Sequence, residues 1–591
     1  MAVKGGFQEM KKPKDSKGTL MRLVSYLAQF KITILIIVLL CLASNVMALL
    51  GPKLAGEAIN VAAAGVGKVD FNMIWYYVRL MALFYITSAL ITIAINVIMV
   101  KVSKQVAGKM RRDVFDKLMT LPVGYFDSHQ TGDIISRVSY DIEVIGTCLV
   151  TDVTTILTNV VTIIGSFIMM LTISPLLSIV VIITIPLSLL YTMSMRKIVQ
   201  PRYKRRSRAY GAMNGLAEEM LSGHKTIQAY AYETKASNRF DAVNHEAAEA
   251  FYSADRIALT MGPVMNTINN VSLAFIAVLG SIMFMNGAAQ LGQISSFVLY
   301  SRKFSGPINE ISNTINEIFS AMAAAERVFT LLDETEEPAD VENAKVLENV
   351  RGHVEMKHVS FGYLPDKVVL HDLSLDALAG KQVAIVGPTG AGKTTIINLL
   401  MRFYDVNSGE IFVDEGEIRG YTRSSLRGAY AMVLQDTWLF HGTIFENIAY
   451  GKQDADMQEV VEAAKAAHIH SFIMQLPDGY NTMISEDGGN ISKGQKQLLT
   501  IARAMLYNAK ILILDEATSN VDTTTERMVQ EAMKRLMKGK TCFTIAHRLS
   551  TIQNADCILV VDHGDVVEQG THDELMAKKG FYHKLYSSQF N

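Results

Sequence analysis

Two different patterns of hydrophobic positions divide the chain of 591 residues. Up to about residue 329, long apolar stretches alternate with polar ones, and from about residue 351 short β-branched runs alternate with helical segments. A helix needs about 20 apolar residues to cross a bilayer. The first half therefore predicts six membrane-spanning helices, at 32–55, 74–100, 148–173, 174–195, 262–286 and 291–322. Ser174-Pro175 interrupts the long stretch at 148–195 and predicts a tight hairpin between two crossings.

The polar stretches between the predicted spans differ in charge. Those after the second and fourth spans are rich in lysine and arginine, whereas the connections near 60–73 and 286–292 contain Lys68 as their one basic residue. Because basic loops stay cytoplasmic, we expect a multi-pass protein of the plasma membrane with both termini inside the cell. The basic segments at 101–147 and 196–261 have helical periodicity, so we expect these spans to extend as helices into the cytosol, each pair joined by a short turn.

Short apolar runs mark strands in the second half, at 381–387, 511–516, 541–547 and 557–562. Strands that alternate with helices predict a mostly parallel α/β sheet. The acidic stretch at 333–348 contains Pro338 and is typical of a linker. We therefore predict a multi-domain protein, with a basic cytosolic arm at 1–31, an all-α transmembrane domain of six helices at 32–329, a linker at 330–350 and an α/β domain at 351–591.

The composition disfavours several classes of protein. Hydrophobic residues make up 50% of the chain, charged residues 19%, and the mean hydropathy is +0.22, whereas a typical soluble domain is about a quarter charged. A wholly soluble or disordered protein is therefore not expected. The net charge of −1 predicts no nucleic-acid partner. The four cysteines have no C-x-x-C spacing, so we expect neither a disulfide framework nor a zinc site.

A glycine-rich loop follows the strand at 381–387. Residues 387–394 read GPTGAGKT, which matches the pattern G-x-x-x-x-G-K-[ST], and a helical segment comes next. Glycines let backbone N–H groups fold around phosphates, and the helix N-terminus strengthens this attraction. Lys393 would neutralise the β- and γ-phosphates, and the Thr394 hydroxyl would bind Mg²⁺. The context of strand, loop and helix argues against an incidental glycine turn.

Two carboxylates end a later strand. Four apolar residues at 511–514 are followed by Asp515 and Glu516. Asp515 can hold Mg²⁺ through water, and Glu516 can polarise an attacking water. An apolar run that ends in acids is a weak signal by itself, but it becomes a strong one downstream of a phosphate loop.

The sequence ISKGQ at 491–495 lies between these two elements and resembles the LSGGQ signature of ATP-binding-cassette (ABC) ATPases. Further landmarks of that family appear along the chain in its usual order. Tyr363 matches the aromatic A-loop that stacks on adenine, Gln435 the Q-loop, Asp522 the D-loop and His547 the switch histidine. The resemblance implies that Glu516 and His547 are catalytic and that Thr394, Gln435 and Asp515 surround Mg²⁺. It also implies that ATP contacts Tyr363, Gly387, Pro388, Thr389, Gly390, Ala391, Gly392, Lys393, Thr394, Thr395, Gln435, Ser492, Gly494, Gln495 and Asp522.

The first half shares this resemblance. Residues 121–142 and 222–240 are similar to the first and second intracellular loops of ABC exporters, so the chain resembles a type IV ABC exporter half-transporter over nearly its whole length. The family implies a dimer in which the signature of each chain faces the phosphate loop of the other. The intracellular loops would carry closure to the membrane, and the second loop would insert into the nucleotide domain of the partner.

The function implied by this resemblance is ATP-driven export of hydrophobic or amphipathic compounds, drug-like or lipid-like, by alternating access. Two alternatives remain open at this point. A few members with the exporter fold import siderophore-like ligands, and an ATP-gated regulator or channel would bind nucleotide without pumping. The presence of both Glu516 and His547 argues against the regulator.

One residue departs from the family pattern, because Lys493 replaces the second glycine of the signature. The lysine is either a tolerated surface variation or a change that weakens the site completed on the partner. The run GQKQLLTIARAM resembles the catalytically intact chain of heterodimeric bacterial exporters. We therefore favour a second, different half-transporter as the partner over a homodimer.

The polar residues within the fifth and sixth predicted spans fit several roles and do not identify a substrate. Asparagines share one helical face in each span, where they could touch substrate or bond neighbouring helices: Asn266, Asn269 and Asn270, then Asn309, Asn313 and Asn316. Arg302 and Lys303 could serve a cavity for anionic substrates, snorkel, or pair with Glu310.

Overall fold

A computed structural model describes residues 16–65, 67–364, 366–434, 437–485, 491–515, 522–545 and 552–590. The chain divides into two compact units. The first comprises the residues up to Leu121 together with His129–Thr335, and the second comprises Pro122–Ser128 together with Glu336–Asn591. A short segment from the middle of the first half therefore belongs to the second unit.

The described part of the first half is helical throughout its length. Its helices are α1 Ser16–Ala28, α2 Lys31–Ala62, α3 Phe71–Thr120, α4 Val123–Ser128, α5 Thr131–Ser136, a π-helical turn Arg137–Asp141, α6 Ile142–Ile173, α7 Pro175–Ser222, α8 His224–Ala229, α9 Glu233–Met285 and α10 Leu291–Leu332. The extension of three spans into long helices and the turn at Ser174 are confirmed. Ser174 caps α7 by accepting a hydrogen bond from the Leu177 N–H, with Pro175 at the first helical position. Helix α1 was not predicted and lies within the expected basic arm.

Five segments in the described residues are long and apolar enough to cross a membrane: α2, α3, the segment from α5 through α6, α7 and α9. The sixth predicted span is present as the continuous helix α10, but it is less apolar. Arg302, Lys303 and Glu310 lie in this part of α10. A transmembrane domain of long helices is therefore confirmed.

Helix α10 supplies a hydrogen bond that a proline removes from α2, and adds a second one beside it. Pro52 lies inside α2 and has no N–H group, so the carbonyl of Ala48, four residues earlier, loses its helical donor. The Lys303 ammonium donates to this carbonyl over 2.7 Å, and the Tyr300 hydroxyl donates to the Leu49 carbonyl over 2.5 Å. The two helices are thus joined by polar contacts at a site where α2 cannot satisfy itself.

This geometry corrects the suggested pairing of Lys303 with Glu310. Lys303 donates to a backbone carbonyl of α2, whereas Glu310 accepts a hydrogen bond from the amide of Asn159 over 3.2 Å. Both contacts join α10 to neighbouring helices of the same unit. An unpaired polar group costs free energy in an apolar environment, so helix-to-helix hydrogen bonds explain these side chains without an anionic ligand.

The second unit is built on two sheets. Its strands are β1 Val354–Phe361, β2 Leu370–Ala377, β3 Gln382–Val386, β4 Ser408–Val413, β5 Gly416–Glu417, β6 Tyr430–Val433, β7 Gly442–Thr443, β8 Met483–Ile484, β9 Ile511–Asp515, β10 Thr541–Ile545, β11 Cys557–Asp562 and β12 Asp565–Gly570. An antiparallel sheet has the order β2-β1-β4-β5, and a six-stranded sheet has the order β12-β11-β3-β10-β9-β6. Strands β11, β3, β10, β9 and β6 run parallel, which confirms the α/β fold.

Helices connect and cover these strands. They are α11 Lys393–Leu400, α12 Arg423–Gly428, α13 Ile444–Ala449, α14 Met457–Ala466, α15 His470–Ile473, α16 Lys493–Tyr507, α17 Thr523–Met537, α18 His572–Lys578 and α19 Phe581–Phe590. The central strands are almost wholly apolar and buried, as parallel strands covered on both faces must be. The carboxyl ends of β3, β9 and β10 meet at one edge of the sheet, where Ile545 pairs with both Ile385 and Asp515.

Candidate ATP-binding site

The phosphate loop, residues 387–392, connects β3 to α11. Two of its glycines are required by the local backbone. A Cβ atom on Gly387 would lie 2.0 Å from the Val561 carbonyl oxygen, and Gly392 has a φ of +103°, a conformation that other residues rarely adopt. The loop therefore approaches the end of β11 closely before it enters the helix. The first N–H groups of α11 have no carbonyl partner within the helix, so the loop ends in donors suited to an anion.

Lys393 begins α11 and is buried, with 9% of its surface exposed. Its ammonium group donates to the carbonyl oxygens of Gly387 over 2.8 Å and of Pro388 over 3.0 Å. Burial lowers the pKa of Lys393, while the negative charge of Asp515 acts in the opposite direction. The lysine thus lies folded back over the loop, with a carboxylate at the end of β9 near enough to influence it.

The two threonines after Lys393 face different surroundings. Thr394 is exposed at the start of α11, as a hydroxyl that binds a metal ion must be. Thr395 is buried, and its hydroxyl lies 3.1 Å from that of Tyr363. Thr394 and Asp515 therefore offer the oxygen ligands that Mg²⁺ prefers, next to loop donors that fit a phosphate chain. These residues fit the metal and the nucleotide that the sequence predicts.

Tyr363 lies just after β1 and is 44% exposed. Its ring packs against those of Phe361 and Tyr404, with both pairs of ring centroids 5.0 Å apart and the planes nearly perpendicular. Its hydroxyl also accepts a hydrogen bond from the Asn398 side chain over 3.3 Å. The ring is thus held beside α11 with much of its surface open, which suits a platform for a flat aromatic ligand.

The signature residues form a local structure of their own. Ser492 caps α16 by accepting a hydrogen bond from the Gln495 N–H over 3.3 Å, and the Gln495 side chain accepts one from the Ser492 N–H over 2.9 Å. Gly494 is buried, whereas Lys493 is exposed at the first position of the helix. The lysine that departs from the family pattern is therefore on the surface of this chain.

Asp522 is the cap of α17 and accepts a hydrogen bond from the Thr525 N–H over 2.9 Å. This hydrogen bond and one from the Thr525 side chain lower the pKa of Asp522. Three predicted site residues, Gln435, Glu516 and His547, lie outside the described residues. In the sequence, Glu516 directly follows β9 and His547 lies two positions after β10, the strands whose ends meet beside the phosphate loop.

Comparison with known proteins places the chain in a family. The profile described as "ABC transporter transmembrane region" matches residues 34–308, and that described as "ABC transporter" matches residues 370–519. The ABC transporter ATP-binding protein YfiC of Bacillus subtilis is 43% identical over 587 residues, which cover 99% of this chain and 97% of that protein. This chain belongs to the ABC transporter family.

Other relatives place it among the exporters. A fatty acid ABC transporter ATP-binding/permease protein of Mycobacterium tuberculosis is 43% identical over 88% of this chain and 82% of its own length. An ATP-dependent lipid A-core flippase of Syntrophus aciditrophicus is 35% identical over 84% of this chain and 82% of its own length. The solved structure of a bacterial Atm1-family ABC exporter with ATP bound has a TM-score of 0.76 and 30% identity, covering 96% of this chain and 99% of that one. The chain is thus an ABC exporter half-transporter with an ATPase domain.

Two residues that contact Tyr363 were not identified from the sequence. Asn398 bonds to the Tyr363 hydroxyl, and Tyr404 packs on the Tyr363 ring. Asn398 lies on the helix of the phosphate loop, and Tyr404 lies four residues beyond the end of that helix. The sequence places both residues close to the phosphate loop. Their contact with Tyr363 depends on the fold and could not be predicted from that position.

Proposed function

We propose that this exporter uses ATP to move hydrophobic or amphipathic compounds, lipid-like or drug-like, out of the cell by alternating access. The observation that carries the proposal is the position of Lys393 over the phosphate loop, with the Asp515 charge acting on it, in a chain whose other unit consists of long apolar helices. A site of this kind binds and hydrolyses ATP, and the long apolar helices can cross the membrane through which a substrate would be moved.

At the ATP site each residue has a distinct task. Lys393 and the N–H groups of the phosphate loop hold the phosphates, and Tyr363 stacks on the adenine. Mg²⁺, held by Thr394, Gln435 and Asp515, would supply neutralisation of the charge that develops on the phosphates. Glu516 orients and polarises the attacking water, and His547 contacts the phosphate that leaves.

The site is completed by a second half-transporter. Ser492, Gly494 and Gln495 would contact the nucleotide held by the partner, as would Asp522. Support comes from the second intracellular-loop helix, α8, which has no buried residue within this chain. We expect a helix that is this exposed in its own chain to be covered by another chain. Because Lys493 adds a side chain to the signature, we propose a different half-transporter as the partner.

The substrate class rests on the relatives and on the membrane unit. Two relatives are named for fatty acid and for lipid A-core, both amphipathic molecules with long apolar chains. Between α7, α9 and α10 lies a small cavity lined by both hydroxyl and apolar side chains, among them Thr184, Ser188, Ser301, Met265 and Phe304. Asn269 also lines it, whereas the side chains of Asn309, Asn313 and Asn316 lie outside the described residues. A mixed lining of this kind suits an amphipathic ligand.

Transport by inside-out plasma-membrane vesicles tests this function. The nucleotide domain is proposed to face the cytoplasm, so it faces the medium in such vesicles and ATP is added outside. We expect Mg-ATP to drive accumulation of a fluorescent fatty acid or of a lipophilic dye in vesicles that contain the wild-type chain, and not in those that contain Glu516→Gln. Equal accumulation by the two kinds of vesicle, with both probes, would show that the chain does not pump such compounds.

A further inference from the structure

A short helix from the first half of the chain packs in the nucleotide-binding unit. The chain leaves the long apolar helix α3 at Thr120, forms α4, and returns to the first unit through α5. Helix α4 belongs to the same compact unit as the phosphate loop. A residue of that unit that contacts both α4 and the nucleotide site would therefore report on both.

Tyr404 is such a residue, and its first contact is with α4. Its hydroxyl donates to the Asp127 carboxylate over 2.6 Å. A Cβ atom on Gly124 would lie 3.0 Å from the Tyr404 ring, so the backbone of α4 lies directly against the tyrosine. Burial and the hydrogen bond to Asp127 raise the pKa of Tyr404, so the phenol stays protonated and remains a donor at any physiological pH.

Its second contact is with Tyr363, the residue proposed to stack on adenine. The Tyr404 ring lies edge to face with the ring of Tyr363, at 5.0 Å between centroids, and 5.6 Å from the ring of buried Phe361. Perpendicular aromatic pairs at such distances are attractive beyond their buried area and have a preferred geometry. Tyr363 is also hydrogen bonded to Thr395 on α11, so its side chain contacts both α11 and Tyr404.

We propose that Tyr404 is a positioning residue that couples nucleotide binding at Tyr363 to the docking of α4, through its ring on one side and its hydroxyl on the other. The inference rests on the proposed function, because it assigns adenine to Tyr363. Tyr404 does not touch the reacting atoms; it fixes Tyr363 and Asp127 relative to each other. Coupling of two binding events is reciprocal, so the contact that lets nucleotide tighten α4 also lets docked α4 tighten nucleotide binding.

The experiment separates the hydroxyl from the ring. Tyr404→Phe keeps the aromatic packing and removes the hydrogen bond, and Asp127→Ala removes the acceptor. Tyr507→Phe is the matched control, because its hydroxyl donates to the Gly428 carbonyl over 3.0 Å elsewhere in the same unit. Each full-length variant is placed in lipid nanodiscs, and amide hydrogen exchange in residues 123–128 is measured with and without a nonhydrolysable ATP analogue. Binding of the analogue and the KM and kcat of ATP hydrolysis are measured on the same samples.

We expect the analogue to slow exchange in α4 of the wild type by about threefold to tenfold, the range set by one hydrogen bond of ordinary strength. In Tyr404→Phe this effect disappears, KM for ATP rises by a similar factor and kcat stays within about twofold, because Lys393 and Tyr363 are untouched. The double variant with Asp127→Ala loses no more than either single variant, as expected for partners in one contact. Tyr507→Phe behaves like the wild type.

A purely structural role for Tyr404 would give a different result. It would lower the unfolding temperature and kcat while leaving the effect of the analogue on α4 intact. This finding overturns the coupling role while leaving the exporter assignment in place. A wild-type chain that does not bind the analogue overturns the proposed function and this inference with it.

Discussion

At the residue scale, one lysine determines whether the loop is a nucleotide site. Lys393 is buried and hydrogen bonded to the carbonyl oxygens of two loop residues. A lysine with a structural role would keep these two hydrogen bonds at all times. A phosphate-binding lysine would exchange the two carbonyl oxygens for phosphate oxygens when the nucleotide binds. The surrounding N–H groups of α11 favour the exchange, because they bring a second source of positive potential to the same place.

Replacing Lys393 with methionine separates these two roles. Methionine keeps the length of the apolar stem and removes the charge, so we expect the fold to persist and affinity for Mg-ATP to fall by about 10-fold or more. Fluorescence titration with a labelled ATP measures affinity, and a thermal unfolding scan without nucleotide checks the fold. A variant that unfolds at a much lower temperature but binds ATP normally would show that Lys393 supports the loop and not the nucleotide.

A second residue connects charge to stability. Asp556 accepts hydrogen bonds from the Gln382 N–H and from Lys381, each over 2.9 Å, at the start of β3. Burial raises its pKa, but these hydrogen bonds outweigh burial and the pKa is lowered overall. The ionised form is thus favoured in the folded state. Its contribution to stability is present above the ordinary aspartate pKa of about 3.9 and is lost as pH falls through the lowered value.

We therefore expect Asp556→Asn to lower the unfolding temperature at pH 7 and the difference from the wild type to narrow as the pH falls below about 4. Scans at pH 7, 5 and 3 measure this difference, with the exposed Asp478→Asn as the control that changes little throughout. A gap between wild type and Asp556→Asn that persists unchanged at pH 3 would mean that packing, and not ionisation, accounts for the effect.

At the scale of elements, the contact between α2 and α10 sets how closely two membrane helices approach. A Cβ atom on Gly292 would lie 1.9 Å from the Gly56 carbonyl oxygen, so the two backbones touch at these glycines. The hydrogen bonds of Lys303 and Tyr300 to α2 lie further along the same pair of helices. Close backbone approach at small residues is the usual way in which membrane helices associate.

Gly292→Ala should force the two helices apart and destabilise the membrane unit by about 1–3 kcal/mol, the cost of overpacking a tight contact. Gly306→Ala on the same helix is the matched control, because a Cβ atom there meets nothing within 4 Å. Thermal unfolding in detergent compares the two variants. An unfolding temperature of Gly292→Ala equal to that of Gly306→Ala would show that α2 and α10 are not in contact at this glycine.

Many of the helices, strands and turns could be predicted from the sequence because each depends on residues that are close together in the chain. The apolar lengths predicted the long helices, Ser174-Pro175 predicted the turn before α7, and β-branched runs predicted β3, β9, β10 and β11. The phosphate loop was recognisable because its glycines are needed by a local backbone conformation. What local patterns could not supply were contacts between distant residues. The partner of Lys303 lies 255 positions away and that of Tyr404 lies 277 positions away, so no window along the chain contains both.

At the scale of the whole molecule, Lys493 bears on the choice of partner. Lys493 is exposed at the start of α16, at a position where the family has a glycine. In the proposed dimer, a lysine side chain there adds bulk and a positive charge at the start of α16, which the nucleotide of the partner would approach. In a homodimer this happens at both sites, whereas in a heterodimer it happens at the one that this chain completes.

The chain expressed alone should therefore hydrolyse ATP slowly, and Lys493→Gly should raise the rate by several-fold by restoring the glycine. Steady-state hydrolysis in nanodiscs measures both proteins, and Lys493→Arg, which keeps the bulk and the charge, should stay slow. A fast wild-type chain that Lys493→Gly does not accelerate would mean that two copies form working sites and that no different partner is needed.

ATP hydrolysis by the complex, purified through a tag on this chain from its own cells, tests whether Glu516 drives the work of this exporter. The wild type is compared with Glu516→Gln, together with a measurement of ATP binding by each. We predict Mg²⁺-dependent hydrolysis by the wild type and a loss of about 100-fold or more in the variant, with binding retained, because Glu516 acts on water and not on the nucleotide. Hydrolysis by Glu516→Gln at the wild-type rate would show that Glu516 is not the catalytic carboxylate.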